Sequence, residues 1–179
     1  MAGKQIALIR GINVGRAKRV AMADLRALME AFGYKEVSTI LNSGNVVFTS
    51  QDADTMNTAS RIEVELYTRT GISVKVMVFT EEELTEIVAD NPLGEVANDP
   101  SRLLVMFVQN PERLTWLKPL EQQEWAPEAL AIGTRAAYLW CSQGILSSRL
   151  SEAAGRILRE AATARNWATV MKLYTLIKG

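Results

Sequence analysis

The chain has 179 residues, 48% of them apolar, which suits one large domain or two small ones with a packed core and excludes a disordered chain. Twenty basic residues balance 20 acidic ones, so there is no general pull towards nucleic acid or an anionic membrane, and any such binding needs a local patch. With no histidine and a single cysteine, Cys141, the sequence excludes Ser-His-Asp and Cys-His catalysis, His-containing and thiolate metal sites, and an intramolecular disulfide.

QIALIRG, near the start, is a nearly continuous apolar run and predicts a central strand buried on both faces. MADLRALMEAFGY predicts a helix, with Leu25, Leu28, Met29 and Phe32 on one side and Gly33 at its C-terminal stop. VSTILNSGNVVFTS reads as a hairpin turning at 42–45. TASRIEVELYTRTG predicts a second helix, with a capping box from Ser60 to Glu63 and a stop at Gly71. ISVKVMVF, β-branched at alternate places, closes the order as a strand. Residues 4–79 thus spell β-α-β-β-α-β, the ferredoxin-like unit or alpha-beta plait.

TEEELTEIVADNPLG predicts a helix capped by Thr80 and Glu83 and ended at Asn91-Pro92. EVANDPS is polar, as at a boundary, and RLLVMFVQ is again a buried strand. PERLTWLKPLEQQEW is partly helical but interrupted by Pro119. EALAIGTRAAYLWCS predicts two strands turning at Gly133-Thr134. SSRLSEAAGRILREAATA and WATVMKLYTLIKG predict two helices, meeting at a corner made of Arg165, Asn166 and Trp167. The second half therefore repeats β-α-β-β-α, with a C-terminal helix where a fourth strand belongs. The predicted class is α+β: two ferredoxin-like (βαββαβ, alpha-beta plait) subdomains with a C-terminal helix. The boundaries are 1–80, a connecting helix and linker at 81–101, and 102–179. Trp116, Trp125 and Trp140 are expected in the second core, the alternative being an exposed aromatic patch.

RGINVGRAK fits neither G-x-G-x-x-G nor the phosphate loop G-x-x-x-x-G-K-[ST]. Gly11 and Gly15 permit positive φ, and Arg10, Arg16, Lys18 and Arg19 surround the turn, so it can present backbone N–H groups to an anion. It equally reads as a tight connection with solvated charges. NSGN is ordinary hairpin chemistry. Its tip is expected at the end of the sheet away from the first loop, unless long arms bring Asn45 and Arg10 face to face. In the third cluster Arg165, Asn166 and Trp167 offer donors and a stacking face. As a plain corner, Trp167 would be buried and Asn166 would cap the last helix.

Taken together, Arg10-Gly11-Ile12-Asn13-Val14-Gly15, Ser43-Gly44-Asn45-Val46-Val47-Phe48, Asn91-Pro92 and Thr163-Ala164-Arg165-Asn166-Trp167, followed by Thr169, Val170, Lys172 and Leu173, resemble the bacterial domain-of-unknown-function family 1697. The resemblance implies two ferredoxin-like α/β subdomains and no particular activity. The chain departs from the family pattern at Arg16, where a second glycine is usual, at Ala21 for proline and at Ala168 for asparagine.

The expected function is binding of a small anionic ligand, phosphate- or carboxylate-containing, between the RGINVG loop and the RNW corner. The expected ligand residues are Arg10, Asn13, Gly15, Asn45, Arg165, Asn166 and Trp167. The alternatives are an RNA or single-strand binding module, which the zero net charge and the absence of alternating aromatics in the strands disfavour, and a protein interaction domain without a ligand. No residue pattern assigns a reaction, an oligomeric state or a cofactor. Glu81, Glu82, Glu83 and Glu86 read as a solvated first helical turn rather than a metal site. No apolar run is long enough to span a membrane, MAGKQIALIRG reads as a strand rather than a signal segment, and the lone cysteine suits a reducing compartment, so the expected location is cytoplasmic.

Overall fold

The computed structural model describes residues 2–13, 19–41 and 43–179. The chain divides into two units, Met1–Leu84 with Lys172–Gly179, and Thr85–Met171. This division differs from the boundaries expected from sequence. The helix after residue 80 is shared between the units rather than standing as a connector, and the end of the last helix belongs with the first unit.

In the first unit, β1 (Gly3–Arg10), α1 (Met22–Ala31), β2 (Lys35–Ile40), β3 (Asn45–Ser50), α2 (Thr55–Thr70) and β4 (Lys75–Thr80) follow the predicted βαββαβ order. The antiparallel sheet runs β2-β3-β1-β4, so β1 is an interior strand. Ile6, Ala7, Leu8 and Ile9 are all buried, which is why the run shows no polar alternation. Ala7 and Ile9 join Val46, Phe48, Val76 and Val78 in a core with Leu25, Met29, Ile62 and Leu66 from the helices. Each such fully buried aliphatic side chain contributes about 1.5–3 kcal/mol.

Helix α2 begins earlier than its pattern suggests. Asp54 is the N-cap, accepting from the Met56 and Asn57 amides at 3.1 Å each. The capping box expected at Ser60 is therefore not formed. Ser60 lies inside the helix, and Glu63 instead accepts the Val76 amide of β4 at 2.8 Å. Gly71, at φ 73, ends α2 in the left-handed conformation that glycine tolerates.

Helix α3 (Glu81–Ala89) opens with the predicted reciprocal box: Glu83 N–H donates to Thr80 Oγ1 at 3.1 Å and Thr80 N–H to Glu83 Oε1 at 3.0 Å. The second unit then holds β5 (Leu103–Val108), a 3-10 turn over Pro111–Leu117, α4 (Lys118–Glu121), β6 (Ala129–Ile132), β7 (Ala136–Trp140), α5 (Arg149–Leu158) and β8 (Ala162–Asn166). Its sheet order, β6-β7-β5-β8, repeats that of the first. The segment expected to extend a helix into a corner is thus the missing fourth strand, paired antiparallel to β5 with Val105 opposite Arg165. Those ladder hydrogen bonds along β5 override the helix preference of the alanines in AATA. α6 (Trp167–Lys178) follows directly.

Among the tryptophans only Trp140 is fully buried. Trp125 is half-buried and donates its indole N–H to the Leu120 carbonyl at 2.8 Å. Trp116 is 44% exposed with the Arg113 guanidinium over its ring, so its expected core position is not borne out.

Candidate functional site

Arg10 ends β1, and Gly11, at φ 87, turns the chain out of the sheet. Asn13 follows in a left-handed conformation, φ 54, tolerated by asparagine. Its side-chain amide grips the backbone N–H and C=O of one residue, Val20, on the far side of the loop. Nδ2 donates to the Val20 carbonyl at 2.9 Å, and Oδ1 accepts the Val20 amide at 2.8 Å. The clamp holds the two ends of the loop together, so that α1 starts beside the end of β1. Asn13 therefore has a folding role that the sequence did not disclose. Gly15, the third expected ligand residue, lies outside the described residues.

The hairpin stands at the same end of the sheet as this loop, not at the opposite end. Antiparallel pairing of β1 with β3 sets Leu8 opposite Asn45, so the end of β1 meets the beginning of β3. Ile9 N–H donates to the Gly44 carbonyl at 2.8 Å. A Cβ on Gly44 would lie 2.7 Å from the Ile9 carbonyl oxygen and 2.8 Å from Ile12 Cγ2, and its φ is +74. Only glycine lets the hairpin close on the first loop there. Asn45 is wholly buried, and its Nδ2 donates to the Ile40 carbonyl and to Ser43 Oγ at 3.1 Å each. It ties the two arms of the hairpin together. Thus two of the three motif clusters meet, RGIN and SGN.

Arg10 itself is exposed. The register places Lys75, which the sequence reading passed over, directly opposite it on β4. α1 starts after Ala21, whose side chain offers its first amides no cap.

The third cluster lies in the second unit. Arg165 is half-buried on β8, and its Nη1 donates to Thr163 Oγ1 and to the Ala164 carbonyl at 2.8 Å each. Burial pushes its pKa down to about 10. Asn166 Oδ1 accepts the Thr169 amide at 2.9 Å and caps α6. Trp167 is half-buried, neither fully in the core nor lying open.

Among the described residues, two cavities lie away from these motifs. One, of about 310 Å³, is lined in the second unit by Glu86, Ile87, Asp90, Thr134 and Arg135. Glu86 pairs with Arg135 across it, and Asp90 Oδ2 accepts the Thr134 amide at 3.0 Å. The buried Tyr138 hydroxyl donates to the Ile87 carbonyl at 2.6 Å, and burial, with Asp90 nearby, raises its pKa. The other, about 260 Å³, lies over Lys4, Glu36, Val47 and Thr49. Neither is lined by the expected ligand residues. Among the described residues no group of three or more carboxylate or cysteine side chains is placed to hold a metal ion, and no helix is long and apolar enough to cross a membrane.

A family model described as a protein of unknown function, DUF1697, matches residues 2–138. The matched span holds the RGINVG, SGNVVF and NP motifs and stops before Arg165-Asn166-Trp167. No sequence among the curated proteins matches the chain. Among solved structures, the conserved bacterial protein SP0830 from Streptococcus pneumoniae is similar over 100% of both chains, with a TM-score of 0.82 and 21% identity. At that identity the likeness shows the fold alone.

Proposed function

The chain belongs to DUF1697, a family of unknown function, and from its own residues we propose that it binds a small anionic ligand at the RGIN end of the first sheet. One observation carries this reading. An exposed Arg10 ends β1, and the Asn13 clamp brings the start of α1, which the Ala21 side chain does not cap, beside that strand end. Residues 10–19 add Arg16, Lys18 and Arg19 with no acidic residue among them, in a protein of zero net charge. Helix amides without a side-chain cap and nearby cations both favour an anion. The amides of Asn13 and Asn45 hold the backbone of this end in place, and Arg10 is the contact.

The burial of β1 and β3 on both faces supports a small anion over a single-strand platform, which needs open aromatic faces on the sheet. The test is titration with inorganic phosphate and with acetate at fixed ionic strength, followed by backbone amide shifts. Shifts at Gly11, Arg19 and Val20 that vanish in Arg10→Gln are expected. The same titration of Arg165→Gln decides the role of the RNW motif. Loss of affinity in both variants would mean one ligand is read by both motifs, and loss in Arg10→Gln alone would confine it to the first loop. Unchanged affinity in Arg10→Gln would reject the reading.

A further inference from the structure

The cleft of about 260 Å³ in the first unit is lined by two opposite charges that do not pair with each other. Lys4 stands on β1 directly opposite Thr49 of β3, and Glu36 reaches the same threonine from β2, accepting its hydroxyl at 3.0 Å. β1 and β2 are the two neighbours of β3, so their backbones lie about 10 Å apart with Thr49 between them. Glu36 arrives there through an irregularity. The β2–β3 register shifts between Lys35 and Ser38, and Glu36 takes φ 50, a left-handed conformation that few residues with a long side chain adopt. Val37 keeps its place in the core while Glu36 turns to the Thr49 side. An exposed hydroxyl contact contributes little to folding and does not account for that conformation. Lys4 is half-buried, and among the described residues it has no ion-pair partner. Ser38 adds a hydroxyl to the lining and Leu176 an apolar side chain, 41% exposed.

We propose that this cleft takes a free α-amino acid with an apolar side chain. Its carboxylate sits on the Lys4 ammonium, its ammonium on the Glu36 carboxylate, and its side chain against Leu176. The match is one of charge, size and polarity. A simple anion drawn to Lys4 is repelled by Glu36, and a simple cation drawn to Glu36 is repelled by Lys4. A zwitterion satisfies both and bridges the gap that keeps them apart. The cleft is smaller than the roughly 300–1,000 Å³ of pockets for drug-sized ligands, which suits a molecule of amino-acid size. Lys4 and Arg10 are six residues apart on β1, about 20 Å along the strand, so this site is separate from the anion site and does not depend on it.

The test uses the full chain at pH 6 and fixed ionic strength, with backbone amide shifts at Lys4, Ser38 and Thr49 as readout. The probes are L-leucine, N-acetyl-L-leucine, which lacks the ammonium, and L-leucinamide, which lacks the carboxylate. Leucine should bind at least about tenfold more tightly than either, the worth of one charge-assisted contact. Lys4→Gln should lower leucine to the level of leucinamide and leave leucinamide as it was. Glu36→Gln should lower leucine to the level of acetyl-leucine and leave acetyl-leucine as it was. Lys35→Gln removes an exposed lysine outside the cleft lining and should change none of the three. Glycine, with no side chain to set against Leu176, should bind about tenfold more weakly than leucine. Equal affinity for the three leucine probes, or no shift with any of them at millimolar concentration, would overturn the proposal. Loss in Lys4→Gln alone would replace it with a plain carboxylate site, and an equal loss in Lys35→Gln would overturn the role of Lys4.

Discussion

Asn13 and Asn45 in the first unit and Asn166 in the second all sit in motifs that invite a ligand interpretation, and all three bond to nearby backbone. They differ in what those bonds close. Asn13 joins the two ends of a loop, Asn45 joins the arms of a hairpin, and Gly44 seats that hairpin on Ile9 and Ile12. Three chain segments depend on one another there. Asn166 satisfies a single amide in the first turn of its own helix. The same side chain is thus a keystone in one region and a local cap in the other. Disruption should cost accordingly.

The sharpest way to break that comparison is Gly44→Ala. The substitution combines a left-handed residue, about 1–2 kcal/mol, with contacts of 2.7–2.9 Å on Ile9 and Ile12, about 1–3 kcal/mol of overpacking. A loss of about 2–4 kcal/mol is expected in urea unfolding. Gly71→Ala has a similar φ, +73, and open space around it, so only the conformational part, about 1–2 kcal/mol, should be lost. Equal losses at the two glycines would show that the hairpin does not press on the first loop.

Asn13→Ala comes next. It leaves the amide of buried Val20 without its acceptor, and an unsatisfied buried group costs about 1–3 kcal/mol. The local signature is more telling than the total. Hydrogen exchange at Val20 should quicken by far more than exchange along β4. Unaltered protection at Val20 would mean that the clamp contributes nothing in solution.

Much of the fold was legible because its signals are local. The apolar run of β1 predicts an interior strand, and Thr80 and Glu83 form the box their spacing predicts. Ser60 and Glu63 have the same spacing and do not, because β4 supplies Val76 as a non-local donor for the Glu63 carboxylate. β8 was hidden for a related reason, since AATA has helical character until β5 is there to pair with it. The arginines and asparagines of the motifs were visible, but their division of labour was not. It depends on loop closure between Asn13 and Val20, and on a register that sets Leu8 opposite Asn45.

Asn166→Ala should have the smallest effect of the three, about 1 kcal/mol, the usual loss when a side-chain N-cap is removed. The expected damage is fraying of the first turn of α6, seen as faster exchange at Thr169, with protection at Val20 left intact. Asn166→Asp separates capping from any other role. Its carboxylate can still accept the Thr169 amide and is favoured by the helix dipole, so stability should return close to that of the parent. Rescue by Asp and failure by Ala would make the residue a cap in practice. Failure of both, by a similar margin, would mean that the Asn166 amide nitrogen carries a contact of its own, and the second region would then resemble the first more closely than a single cap allows.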